Sequence, residues 1–297
     1  MKTDSIILQN NAYSVAHSPD ADDIFMYYAI KFGWVTPPYP LQNIALDIES
    51  LNVACLESKY DISAISFSLY PFICDDYTLL RTGMSFGDGY GPKVIKKKGA
   101  RLKRNFKVAL SGKYTTNAML FRLKYPESRA VYMNFMDIQG AVLSGACDAG
   151  VLIHEEILNF SQELEVEAYI WDIWRDLAGD SLPLPLGGMA LRRSIPLNRA
   201  IALEETLTKA IKIALKHKNI LSKMLITENL VRVDAKDLDI YLNLYANEES
   251  HTLSERQILA LERLYEIGYN AKIYPIDLKG RLKEYLIPSE YQNLRNS

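Results

Sequence analysis

The sequence predicts an α/β fold arranged in two lobes with a ligand cleft between them. Three observations carry that prediction. Short apolar runs of strand length alternate with longer stretches of helical period. A first α/β unit is followed by a second, smaller one. The last third then reads as helices without strands of their own, which must pack on a sheet already made, the first. The 297 residues also exceed a single core of roughly 100–150 residues.

The elements follow in order. Ser14–His17 (SVAH) reads as a buried strand, and Ser18-Pro19 opens a helix to about Gly33. Pro19 takes the first helical position, acids fill the first turn, and Ile24, Phe25, Tyr28 and Ala29 recur at helical spacing. Ile44–Ile48 is the next strand, Ser50–Ser58 a short helix and Asp61–Ser66 another buried strand. Thr78 to Lys97 holds two strands around the glycine-rich GMSFGDGYGP. The second unit starts at Lys107–Leu110 and runs through SGKYTT into a helix, Thr116–Lys124. Strand Ala130–Met133, helix Asp137–Gly145 and strand Ala149–Ile153 follow, the last ending at His154. Leu182–Arg193 is extended. Helices then cover about Asn198–Lys216, Asn219–Thr227, Ala235–Tyr245 and Ser254–Gly268. The expected division is a larger lobe of residues 1–100 and 189–297, with residues 101–188 as the smaller. Closable clefts of this kind hold small-molecule sites.

Composition excludes several classes. At 48% hydrophobic and 24% charged the chain is an ordinary soluble globular protein. Lys and Arg total 34 against 36 Asp and Glu, so no overall field favours nucleic acid or an anionic membrane, and neither is an expected partner. The three cysteines form no CxxC pair, which argues against a disulfide framework and a structural zinc site. No 18 apolar residues run together, and the opening has only the short run Ser5–Leu8 before two asparagines. With no signal-peptide pattern, a cytoplasmic location is expected.

Four histidines bound the search for a general base. His217 lies among lysines near a helix end, and His251 sits in a polar turn. His17 ends the first strand beside the cleft, where a structural role outweighs a catalytic one. His154 stands at the C-terminal end of a buried strand, the edge where open α/β sheets place ligands, and an imidazole titrating near neutrality is a natural proton acceptor. SGKYTT fails the phosphate-loop pattern but offers hydroxyls and free amides at a helix start, suited to a carboxylate or carbonyl oxygen. Thr115 or Thr116 is the expected N-cap there. Asp20, Asp22 and Asp23 lack the glycine and distal Glu of a calcium loop; they complement a helix dipole, and no metal is expected. They also repel anions, so an anionic substrate group belongs nearer Thr115–Thr116 than Ser18. Gly83, Gly87, Gly89 and Gly91 form no GxGxxG and read as turn or hinge geometry. Cys147 reads as a buried small hydrophobe. From these residues alone a binding protein, a sensor and an enzyme all stay open.

Taken as blocks, the sequence says more. SPDADDIFMYYA resembles the SPxPNDTFxFYAL opening of the 1,4-dihydroxy-6-naphthoate synthases of the futalosine route to menaquinone. DIESLN (Asp47–Asn52), ISAISFSLYPFICDDYTLLRTGMSFGDGYGP (Ile62–Pro92), VALSGKYTTNAML (Val108–Leu120), DAGVLIHEE (Asp148–Glu156) and LPLPLGGMALRR (Leu182–Arg193) continue the resemblance in family order. It implies a periplasmic-binding-protein type II-like fold used as an enzyme. Such enzymes convert cyclic dehypoxanthine futalosine to 1,4-dihydroxy-6-naphthoate, a lyase reaction that releases dihydroxyacetone without metal or organic cofactor. The resemblance makes His154 the proton acceptor and carries ligand contacts to Ala64, Ile65 and Ser66. Asn52, Thr115, Thr116 and Asn117 are likewise expected at the ligand, with Ile153 lining the pocket. Ala21-Asp22 replaces the family's Pro-Asn, and Tyr114 is open to contact or packing. Which group orients His154 is open too: Glu155 and Glu156 adjoin it, but strand alternation sends neighbours to opposite faces. A solute-binding protein of the same fold and the sister chorismate dehydratase are the alternatives.

Overall fold

In a computed structural model, residues 12–247 and 250–287 are described; the run Ser5–Leu8 lies outside them. The chain opens with β1 (Tyr13–His17), α1 (Ala21–Lys31), β2 (Leu41–Ala45), α2 (Ile48–Leu56) and β3 (Ile62–Ser66). Next come α3 (Tyr70–Ile73), β4 (Tyr77–Leu79), β5 (Ser85–Gly87), β6 (Lys93–Lys97), β7 (Lys107–Leu110) and α4 (Thr116–Lys124). β8 (Arg129–Tyr132), α5 (Ile138–Ser144), β9 (Ala149–Leu152), β10 (Leu164–Tyr169) and α6 (Ile170–Ala178) follow. β11 (Leu184–Arg192), α7 (Leu197–Lys216), α8 (Lys218–Thr227), α9 (Ala235–Tyr245) and α10 (Glu255–Asn270) complete it.

The strands sort into two sheets. The first has the order β2-β1-β3-β11-β4, with β5 also on β11; the second runs β10-β6-β9-β7-β8. β1 is parallel to β2 and β3, and β11 returns antiparallel to β3. In the second sheet β7 is parallel to β8 and β9, while β6 is antiparallel to β9 and β10. Every residue of β3, ISAIS, is buried, as expected of an interior strand covered on both faces. α7 packs on α1, and α10 packs on both β11 and α6. The C-terminal helices thus build on the first sheet as the pattern predicts, with α10 also touching the second unit.

Some elements differ from expectation, each for a local reason. Pro19 is not the first helical residue. Asp20 is the N-cap, its carboxylate accepting from the Asp23 N–H, so α1 starts at Ala21. The second strand ends at Ala45 because Asp47 caps α2, accepting from the Glu49 and Ser50 N–H groups. Three strands, not two, occupy Thr78 to Lys97. The last of them, β6, pairs in the second sheet, so the chain passes between sheets after Gly87 and not near residue 100. It returns before Leu184, a little ahead of the expected 188. β10 and α6 lie outside the expected set.

Tyr274, just after α10, reaches back to the first sheet, its hydroxyl donating to Ser68 Oγ at 3.0 Å just after β3. Gly268 lets that ring lie against the helix: a Cβ there would sit 2.0 Å from Tyr274 Cε2. Ala in place of Gly favours a helix by about 1 kcal/mol, whereas overpacking costs about 1–3 kcal/mol. The clash wins, and Gly268→Ala is expected to lower the denaturation midpoint. An unchanged or raised midpoint in a urea titration would show that the ring can yield.

Candidate active site between the sheets

A cavity of about 90 Å³ lies between the two units, lined from both. The first contributes Ala64, Ile65 and Ser66 at the end of β3, the start of α1, and Leu186, Gly187 and Gly188 of β11. The second contributes Thr115, Thr116 and Asn117 at the start of α4, with Ile153 and His154 after β9. Tyr241 and Tyr245 of α9 close one side. β11 approaches closely because it carries glycines here; a Cβ on Gly188 would lie 2.7 Å from Met84 Sδ.

His154 is held with strain and by a specific partner. Its φ is +54°, a left-handed conformation that costs a non-glycine residue about 1–3 kcal/mol and persists only when neighbours enforce it. Nδ1 lies 2.6 Å from Asp20 Oδ2, and the ring meets Phe135 edge-on with centroids 4.8 Å apart. Nε2 is buried and has no hydrogen-bond partner. Asp20 therefore fixes the tautomer with the proton on Nδ1, leaving the Nε2 lone pair for chemistry. Neither Glu155 nor Glu156 orients the ring: Glu155 is engaged by Arg232, and Glu156 Oε2 has no partner.

The charges around this pair set its basicity. Burial works against the imidazolium, but the charge and hydrogen bond of Asp20, backed by Glu155 and Asp23, outweigh it, so the His154 pKa stands above its ordinary 6.5. Burial alone would raise Asp20. The charge and hydrogen bond of His154, with Ser18 and the Asp23 N–H, instead bring it down to about 2. Asp23 is pushed up to about 8 by burial and the Asp20 charge, and Asp22 is raised well above the carboxylate range by burial and the charges of Asp20 and Asp23. Of the three acids, only Asp20 is held below its ordinary value, by its contact with His154. Asp22 accepts from the Tyr241 hydroxyl at 3.0 Å, so the replacement of the family's asparagine faces a buried tyrosine at the cavity. Asp20, Asp22 and His154 offer ligand atoms within 4.8 Å of one another, a spacing open to a cation. In this arrangement His154 Nδ1 and the Tyr241 hydroxyl already engage the two carboxylates.

The start of α4 brings no charged side chain of its own to the cavity, and just before it the Glu49 carboxylate accepts from the Lys113 and Tyr114 N–H groups. Thr115, Thr116 and Asn117 present the first turn of α4, whose N–H groups have no intrahelical acceptor. The hydroxyls do not cap the helix. Thr115 Oγ1 donates to Gly112 O at 3.1 Å, and Thr116 Oγ1 donates across the cleft to Leu186 O at 2.9 Å while accepting from Ser68 N. Those carbonyls outcompete the cap and leave the helix start free for an acceptor from a ligand.

The structure brings together Ala64, Ile65, Ser66, Thr115, Thr116, Asn117, Ile153 and His154. Asn52 stands apart, fully buried behind the wall. Its Oδ1 accepts from Ser66 N at 2.9 Å and its Nδ2 donates to Ser66 Oγ at 3.1 Å. Asn52→Ala would orphan the buried Ser66 N–H, and is expected to cost about 1–3 kcal/mol of stability. Substrate affinity is expected to fall with it, because Ser66 loses its alignment. Calorimetric unfolding and a binding titration would check this; full stability with lost affinity would place Asn52 on the ligand instead.

Tyr114 packs edge-on to Phe72, with centroids 5.9 Å apart, away from the cavity. His17 is buried, hydrogen-bonded to Ser18 O and stacked on Tyr27, a structural histidine. Gly83 and Gly89 take left-handed φ, as turn glycines do. Site members not expected from sequence include Asp20 as the partner of His154, Leu186–Gly188 of β11, and Tyr241 and Tyr245. No helix among the described residues is long and apolar enough to cross a membrane.

Residues 13–270 match the family described as menaquinone biosynthesis. A 1,4-dihydroxy-6-naphthoate synthase from Thermus thermophilus is 31% identical over 209 residues, covering 69% of this chain and 75% of that protein. Another from Streptomyces coelicolor is 28% identical over 257 residues, covering 84% and 90%. Among solved structures, a protein from Archaeoglobus fulgidus superposes with a TM-score of 0.81 at 31% identity, over 88% of this chain and 97% of that one. A Candida albicans protein of the generic periplasmic binding protein fold gives 0.69 at 10% identity, over 93% and 96%, a likeness of fold alone. The fold is therefore the two-lobed α/β architecture of periplasmic binding proteins, and the chain belongs to the menaquinone-biosynthesis family that includes the 1,4-dihydroxy-6-naphthoate synthases.

Proposed function

We propose that the protein is a cytoplasmic lyase that converts cyclic dehypoxanthine futalosine to 1,4-dihydroxy-6-naphthoate and dihydroxyacetone, with His154 as the base. One observation carries the mechanism: the 2.6 Å Asp20–His154 contact at the wall of the interlobe cavity, in a chain of this family. Neutral His154 takes a proton from the substrate on Nε2. Asp20 stabilises the imidazolium that forms, in the way a buried carboxylate does for any histidine base. The electron pair released drives expulsion of the three-carbon fragment and leaves an aromatic ring. The proton on Nε2 is then available for return to the departing fragment, so the step balances without an outside acid and runs on protein groups.

Charge sets the orientation. The substrate carboxylate would sit at the start of α4, near Thr115–Asn117, and the reacting carbon would face His154. Ser66, aligned by Asn52, would hold a carbonyl oxygen whose charge grows during the step. The test is a choice of substrates: separate incubations with cyclic dehypoxanthine futalosine and with chorismate, products followed by mass. Naphthoate from the first and no reaction with the second is the expected result. Dehydration of chorismate would make the protein the sister enzyme, and binding without conversion of either would make it a binding protein.

A further inference from the structure

The groups that hold His154 do not belong to its own lobe. His154 follows β9 of the second sheet, whereas Asp20 caps α1 on the first. A second tie crosses at the next residue. Arg232, between α8 and α9, sends Nε and Nη2 to Glu155 Oε1 at 2.9 and 2.7 Å, and Glu155 is only 5% exposed. The same guanidinium lies over the Phe135 ring, 4.9 Å from its centroid, and Phe135 in turn meets the His154 ring. The segment bearing Arg232 is anchored to the first lobe, since α8 and α9 pack on α1 and Tyr241 of α9 binds Asp22. Arg232 does not line the cavity.

We infer that Arg232 is a positioning residue for the base: by fastening Glu155 to the first lobe it presses the neighbouring His154 ring onto Asp20, so the Asp20–His154 pair is assembled only when the lobes are closed. The strained φ of His154 supports this, because such a conformation lasts only where its surroundings impose it. The two ties act from either side of the strained residue, one through its ring and one through the residue that follows. A charge-assisted contact to a buried carboxylate is strong enough to hold the turn, and an open cleft would leave the ring without the partner that fixes its tautomer. Closure over a substrate would then complete the base in the same motion that excludes water.

The kinetic arm rests on the proposed reaction; the spectroscopic arm does not. Full-length protein labelled with 15N-histidine would be studied by long-range proton–nitrogen NMR above the His154 titration. The wild type, Arg232→Met and Arg232→Lys would be compared, with His154→Ala assigning the signal. The wild type should show the proton fixed on Nδ1. Arg232→Met should show a mixture of tautomers and a kcat lower by on the order of 100-fold, with KM much less affected. Arg232→Lys, which keeps the charge, should recover part of both, and it supplies the reading if Arg232→Met does not fold. A fixed Nδ1–H tautomer in the variants overturns the inference, whether kcat falls or not. If the wild type turns over no futalosine derivative, the proposed reaction fails while the tautomer still decides the role of Arg232.

Discussion

His154→Ala is expected to lower kcat by about 10²–10⁴-fold, the range in which a positioned general base acts, while substrate binding is largely retained. The reason lies in the division of the cavity. The proposed binding groups at Ser66 and the start of α4 line the same cavity as His154, whose Nε2 is unengaged. Removing the imidazole deletes the proton acceptor but leaves those binding groups in place. It also strips Asp20 of the cation that keeps its pKa near 2, so burial should raise it. A carboxyl depressed in the folded state stabilises the fold above its unfolded value of 3.8 and loses that contribution as pH falls through about 2. His154→Ala should therefore unfold at a lower temperature than the wild type at neutral pH, and activity must be read well below that midpoint. Near-normal turnover would remove His154 from the mechanism.

Asp20→Asn is the second large effect, and its signature is a displaced pH profile. The base works when neutral, so wild-type kcat should rise with pH through the His154 pKa, which lies above 6.5. The Asp20 charge and hydrogen bond are the main causes holding it there against burial. Without that charge the remaining desolvation lowers the pKa, and the acid limb of the profile should move to lower pH. The plateau should nonetheless fall, by about 10–100-fold, because an amide no longer fixes the tautomer or stabilises the imidazolium. A lower plateau with an unmoved acid limb would mean that Asp20 acts only as the cap of α1. The two roles separate cleanly, since Oδ1 takes the Asp23 N–H and Oδ2 takes His154.

That double use explains what the sequence shows and what it hides. The strand period and the helical stripes locate both α/β units and the C-terminal helices, and a histidine closing a buried strand marks the cavity edge. Ala64–Ser66 and Thr115–Asn117 are expected at the ligand through the resemblance of their blocks, and the structure places all six on the cavity wall. Asp20 escapes because the dipole of α1 already explains an acid at its start. A complete local reason conceals a contact that only the closed cleft creates. Thr116 shows the converse: a cap expected from spacing is lost when Leu186 O, from another lobe, offers the hydroxyl a better acceptor. Tyr241 and Tyr245 sit at helical spacing on α9, where aromatic residues read as core, and nothing local announces that they face a cavity. Asn52 misleads differently: it serves the site by aligning Ser66 from behind the wall.

The most direct test of the account is product stoichiometry. Purified protein would be mixed with cyclic dehypoxanthine futalosine in the presence of a metal chelator, and both products counted over time. The expected result is 1,4-dihydroxy-6-naphthoate and dihydroxyacetone in equal amounts, at a rate the chelator does not change. Intact substrate recovered from the mixture, or turnover abolished by the chelator and restored by a divalent cation, would contradict it. The second outcome would give Asp20, Asp22 and His154 to a metal instead of a proton.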